Sequence, residues 1–88
     1  MRDTQTARLS SRFLGYVQVQ VGARMFALPV QAVHFTSESD RGAAGGLFEE
    51  GGELGILVND DASPADVQAQ IVKASAEAVR ELSKRYLN

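Results

Sequence analysis

One long amphipathic segment near the C-terminus, Ser63 to Asn88, constrains this 88-residue chain most. Ser63 is an N-cap residue whose hydroxyl can accept from a backbone N–H of the first turn. Pro64 follows at the first helical position, where its missing N–H costs nothing and its fixed φ suits a helix. Asp66 places negative charge near the positive end of the helix dipole. At about 100° per residue, Val67, Ile71, Ala74, Ala78 and Leu82 fall in one stripe, which Val72, Ser75, Val79 and Tyr86 widen on one side. Lys73, Glu77, Arg80 and Lys84 take the opposite side, and Glu77 and Glu81 each have a basic residue three or four positions on. A helix from Pro64 to Leu87 is about 36 Å long. Strands of common length reach only about 20 Å, so the helix end is expected to overhang its sheet.

Upstream, the apolar period changes from helical to alternating. Val17, Val19 and Val21 alternate with Tyr16, Gln18 and Gln20, the pattern of a half-buried strand. Gly22-Ala23 marks a turn, and Phe26, Leu28 and Val30 form one face of a second strand. Pro29 cannot donate to a ladder, so this strand is expected to be an edge there or to end there. Leu47 to Glu49 and Glu53 to Val58 make a second hairpin about Glu50-Gly51-Gly52. Gly55 within it signals a bulge or a close approach. Asn59 to Ala62 leads into the helix cap. The expected fold is α+β in the order ββββα: a four-stranded antiparallel sheet of two hairpins, with the helix packed on one face. Residues 1–11 are read as a flexible arm and residues 12–88 as one small domain.

The segment Val21-Gly22-Ala23-Arg24-Met25-Phe26-Ala27-Leu28-Pro29-Val30-Gln31-Ala32-Val33 resembles the strand pair of CheW-type chemotaxis coupling domains. There a G-x-x-x-F/Y-A-L-P-x-x-x-V pattern is common. The likeness covers 13 of the 88 residues, and the remainder departs from that family's longer double-barrel plan. It implies a shared hairpin solution, not membership.

Composition narrows the chemistry. There are no cysteines, hence no disulfides, thiolate ligands or cysteine nucleophile. No apolar run approaches a membrane span, and no apolar stretch follows Arg2 and Arg8 as a secretory signal requires. A cytoplasmic protein of bacterial style is expected. Net charge is −2, divided as +3 over residues 1–33, −7 over 34–66 and +2 over 67–88. An acidic middle between basic ends can neutralise itself within a chain or between two chains, and it argues against a nucleic-acid surface on the middle segment.

No reactive constellation emerges. His34, the single histidine, has Glu38 and Asp40 nearby, but one His and two loop carboxylates suit Zn²⁺ poorly. A structural histidine is the better reading. His34, Ser37 and Asp40 lack the elbow and oxyanion hole of a nucleophilic triad. Gly42 to Gly46 lacks the Lys-Ser/Thr of a phosphate loop and is followed by acids; whether it has a function is left open. Asn59, Asp60 and Asp61 lack the spacing of a calcium loop. Glu49, Glu50 and Glu53 form an acidic patch at a hairpin tip. Arg2, Arg8 and Arg12 with Phe13 and Tyr16 offer only a sparse nucleic-acid surface.

The favoured expectation is a non-enzymatic protein-interaction or regulatory domain, without cofactor or metal, that forms a homodimer or binds a protein partner. Val79, Leu82, Tyr86 and Leu87 are its expected apolar contact, with Lys84 and Arg85 approaching Glu49, Glu50 and Glu53 of another copy. The first alternative is a ligand-binding or catalytic protein with a pocket at the helix–sheet seam near Tyr16, His34 and Asp60. The second is a nucleic-acid-binding sheet.

Overall fold

The computed structural model describes residues 11–34 and 44–87. Calls on the arm, on Arg2 and Arg8, and on Ser37, Glu38, Asp40 and Gly42 therefore lie outside the described residues. The order is β1 (Arg12–Val21), β2 (Arg24–Val33), β3 (Gly46–Glu50), β4 (Glu53–Asn59) and α1 (Pro64–Tyr86). This is the expected ββββα chain, folded as one sheet with a helix on one face.

Both hairpins are present. Val21 pairs with Arg24 across Gly22-Ala23, and Glu50 pairs with Glu53 across Gly51-Gly52. Gly51 and Gly52 have φ of +61° and +83°, the left-handed pair that a two-residue turn between twisted strands requires. The irregularity in the first hairpin falls in β1, between Phe13 and Gly15.

The sheet order is β1-β2-β4-β3. The hairpins join through β2 and β4, which run parallel from Val30↔Ile56 to Val33↔Asn59. The sheet is thus mixed, where two hairpins alone suggested an antiparallel one. The two strands richest in consecutive apolar residues, β2 with Met25 to Val30 and β4 with Leu54 to Val58, take the two interior positions. The shorter β3, ending in Glu49-Glu50, takes the rim. Pro29 fits this plan. The β4 partners of β2 begin one residue after it, at Val30, so at Pro29 that side of β2 is still an edge. Below Pro29 no ladder joins the two hairpins, and a cleft opens between them.

The core lies between α1 and one sheet face. Val19 and Val21 come from β1, Leu28, Val30 and Ala32 from β2, and Leu54, Ile56 and Val58 from β4. Ala74, Ala78 and Leu82 come from α1, with Val67, Ile71 and Val79 partly buried beside them. Val72, counted into the stripe by period, is exposed. Two alanines at the centre of the helix stripe let α1 sit close to β4, leaving little room for a wider face.

The helix starts as its sequence dictates. Ser63 Oγ accepts from Asp66 N–H at 3.2 Å, and Pro64 opens the first turn. It does not overhang. Its 23 residues span about 35 Å, while the ten-residue strands β1 and β2 span about 33 Å. Leu87 ends above the β1–β2 turn, its Cδ2 3.2 Å from where a Gly22 Cβ would stand.

Candidate functional site

The helix end and the acidic hairpin tip do meet, but within one chain. Arg85 Nη2 donates to Glu49 Oε1 at 3.2 Å, and its Nε donates to Glu81 Oε2 at 3.4 Å. The Glu49 hydrogen bond, against a smaller opposing effect of desolvation, holds the guanidinium pKa above its ordinary value, so Arg85 stays charged. Of the pairs expected between two copies, Arg85 with Glu49 forms within the chain. Leu82 is a core residue and Val79 is half-buried. The Tyr86 ring packs 5.3 Å from Phe26, with the Arg24 guanidinium 4.7 Å above it. Leu87, Lys84, Glu50 and Glu53 are exposed. Where the hairpins diverge, a cleft of about 300 Å³ opens among Phe26, Leu28, Leu54, Leu82, Arg85 and Tyr86.

The opposite end of the sheet gathers His34, Asp60 and Asp61. The parallel ladder ends there, and Asp60 N–H bonds Val33 O at 3.0 Å, which brings the two strand ends together. Asp61 N–H bonds Asn59 Oδ1, turning the chain toward the helix. His34 Nδ1 lies 3.4 Å from Asp61 Oδ2, and one donor atom from each of the three lies within 4.8 Å of the others. All three are exposed, and Arg12 Nη2 donates to Asp60 Oδ1 at 2.9 Å. A cation there would compete with that guanidinium for Asp60. A shallow cleft of about 280 Å³ beside Asp60 is lined by Arg12, Ala32, Val58, Pro64 and Val67. His34 and Asp60, read as pocket partners of Tyr16, are together. Tyr16 is apart, packed edge-on against Phe13 with centroids 5.2 Å apart.

Sequence reasoning named Tyr16 and Phe13 but did not place them with Met25 and Phe48 on one sheet face, turned away from α1. Val17 and Val19 face the helix, so Tyr16 and Gln18 face away. The same alternation puts Met25, Ala27, Pro29, Gln31 and Val33 of β2 there, with Leu57 of β4 and Phe48 of β3. Tyr16 is 67% exposed, Met25 59% and Phe13 52%. Phe48 lies flat over Gly55, where any Cβ would collide with its ring. Among the described residues this face carries charge only at one corner, at Glu50 and Glu53. The signal was in β2: from Met25 to Val33 both alternating sets are apolar apart from Gln31, the pattern of a strand covered on two sides.

No helix among the described residues is long and apolar enough to cross a membrane. Comparison with protein-family models, with curated proteins and with solved structures finds no match to this chain.

Proposed function

We propose that this chain is a small non-enzymatic protein-interaction domain whose contact surface is the open face of its sheet. The observation that carries the reading is the set Phe13, Tyr16 and Met25, large apolar side chains more than half exposed on one continuous face. Contiguous apolar surface of that kind marks contact sites, whereas single exposed apolar residues do not. Supporting it, no polar or charged side chain is buried among the described residues. Catalytic groups are typically tuned by such burial.

The test places charge on the face without touching the core. Tyr16→Arg and Met25→Glu should leave the melting temperature nearly unchanged and alter either self-association or the binding of an apolar dye. If both readouts stay at wild-type values, the face is no contact surface.

One observation favours a second reading, a small-ligand site in the cleft between the diverging hairpins. Its volume of about 300 Å³ lies at the lower bound of ligand pockets. Of its charged lining residues, Arg85 is already paired with Glu49 outside the cleft lining. A nucleic-acid sheet draws support from Phe13 and Tyr16 alone, since no Lys or Arg stands on the described part of the face.

A further inference from the structure

We infer that the occupant of the open sheet face is a second copy of the same chain, packed face to face about a two-fold axis. This rests on the reading of that face as the contact surface and names its partner.

Charge is the first reason. The centre of the face, around Tyr16, Ala27, Pro29 and Leu57, has no ionised group, and interface centres are depleted of charge in the same way. It offers nothing for a basic or acidic partner to complement. An identical face meets it without repulsion at the centre, and a two-fold axis in the interface plane that runs clear of the Glu50–Glu53 corner keeps the two acidic corners apart.

Area is the second. Four strands about 4.8 Å apart, averaging eight residues, give about 500 Å² of projected surface per copy. Two such faces remove about 1,000 Å², where specific interfaces begin. Sheets packed this way are aligned within about 30° and lie about 10 Å apart, with their side chains interdigitated.

The third reason is the composition of the chain's own remaining segments. Residues 1–10 hold Met1 and Leu9 as their only large apolar side chains, and residues 35–43 hold only Phe35. Three such side chains supply little apolar area against about 500 Å² of face.

The experiment is sedimentation equilibrium of the full chain from low micromolar to several hundred micromolar, beside Ala27→Arg and Met25→Glu. Ala27 and Met25 are exposed in the single chain, so both variants should fold, as their circular dichroism will report. Dimerisation of the wild type is expected, with a dissociation constant raised about 30-fold or more in each variant. A dimer indifferent to both substitutions overturns the inference in favour of another surface. A strict monomer also overturns it, and an apolar dye then separates the two readings. Dye bound by the wild type and lost in Ala27→Arg leaves the face free for a different protein. Dye bound only after residues 1–10 are removed means the chain covers its own face, and both readings fall.

Discussion

Phe48 on the rim strand lies across Gly55 on its neighbour, the two being direct partners in the β3–β4 ladder. The ring stands where a side chain at position 55 would project, and it shields a backbone that glycine leaves bare. Gly55→Ala should therefore push the ring off the sheet and destabilise by about 1–3 kcal/mol. In Phe48→Ala the space is free, so adding Gly55→Ala should then cost less than it does alone. Urea denaturation of the single and double variants measures that non-additivity. Strictly additive losses would mean the ring does not occupy the space.

Leu82 is the largest side chain that α1 buries. Leu82→Ala should cost about 2–5 kcal/mol. Val72→Ala, one stripe away and exposed, should lie within about 0.5 kcal/mol of wild type. Chemical denaturation with an unchanged m-value checks both.

The helix start can be probed by itself. Ser63→Ala removes the acceptor for Asp66 N–H and should cost about 0.5–2 kcal/mol, with Ser63→Asp near wild type. A thermal melt in which Ala and Asp behave alike would move the start of the helix elsewhere.

At the upper end of the sheet, EDTA is expected to leave the melting temperature unchanged. His34, Asp60 and Asp61 are exposed, and Asp60 is held by Arg12. Arg12→Ala removes that competitor. A Zn²⁺-dependent rise in melting temperature confined to this variant would show the guanidinium to be what keeps a cation out. The ion pair itself contributes about 0–1 kcal/mol, because both partners face solvent.

The cap and stripe of α1 were legible because both are local: Ser63, Pro64 and Asp66 are neighbours, and the stripe follows one period. The hairpins were legible for the same reason, through Gly22 and Gly51-Gly52. The parallel join of Val30 to Ile56 was not, since no marker in either segment names a partner 26 positions away. The open face was misread strand by strand. Gln18 and Gln20 make that side of β1 look solvated, and only the neighbouring β2, with Met25, Ala27, Pro29 and Val33, makes it apolar. Pairing Arg85 with Glu49 was legible from charge, but whether it closes within a chain depended on strand lengths. Ten residues in β1 and β2 brought the helix end level with the turns.

The short seam between β2 and β4 also sets how the molecule comes apart. Four ladder pairs, Val30–Val33 with Ile56–Asn59, and the Asp60–Val33 hydrogen bond beyond them stitch the hairpins into one sheet. At the other end the last helical turn acts as a clasp: Arg85 grips Glu49 on one hairpin, while Tyr86 rests on Phe26 of the other. Each hairpin can form from contacts close in sequence, but their cooperation depends on α1 docking across both. Fraying at Arg85 and Tyr86 would thus loosen the ends of the two hairpins beyond the ladder while Val30–Val33 and Ile56–Asn59 still hold. In native-state hydrogen exchange, the amides of Glu53 and Leu54 should then open at a lower free energy than those of Ile56 and Val58, although all four belong to one strand.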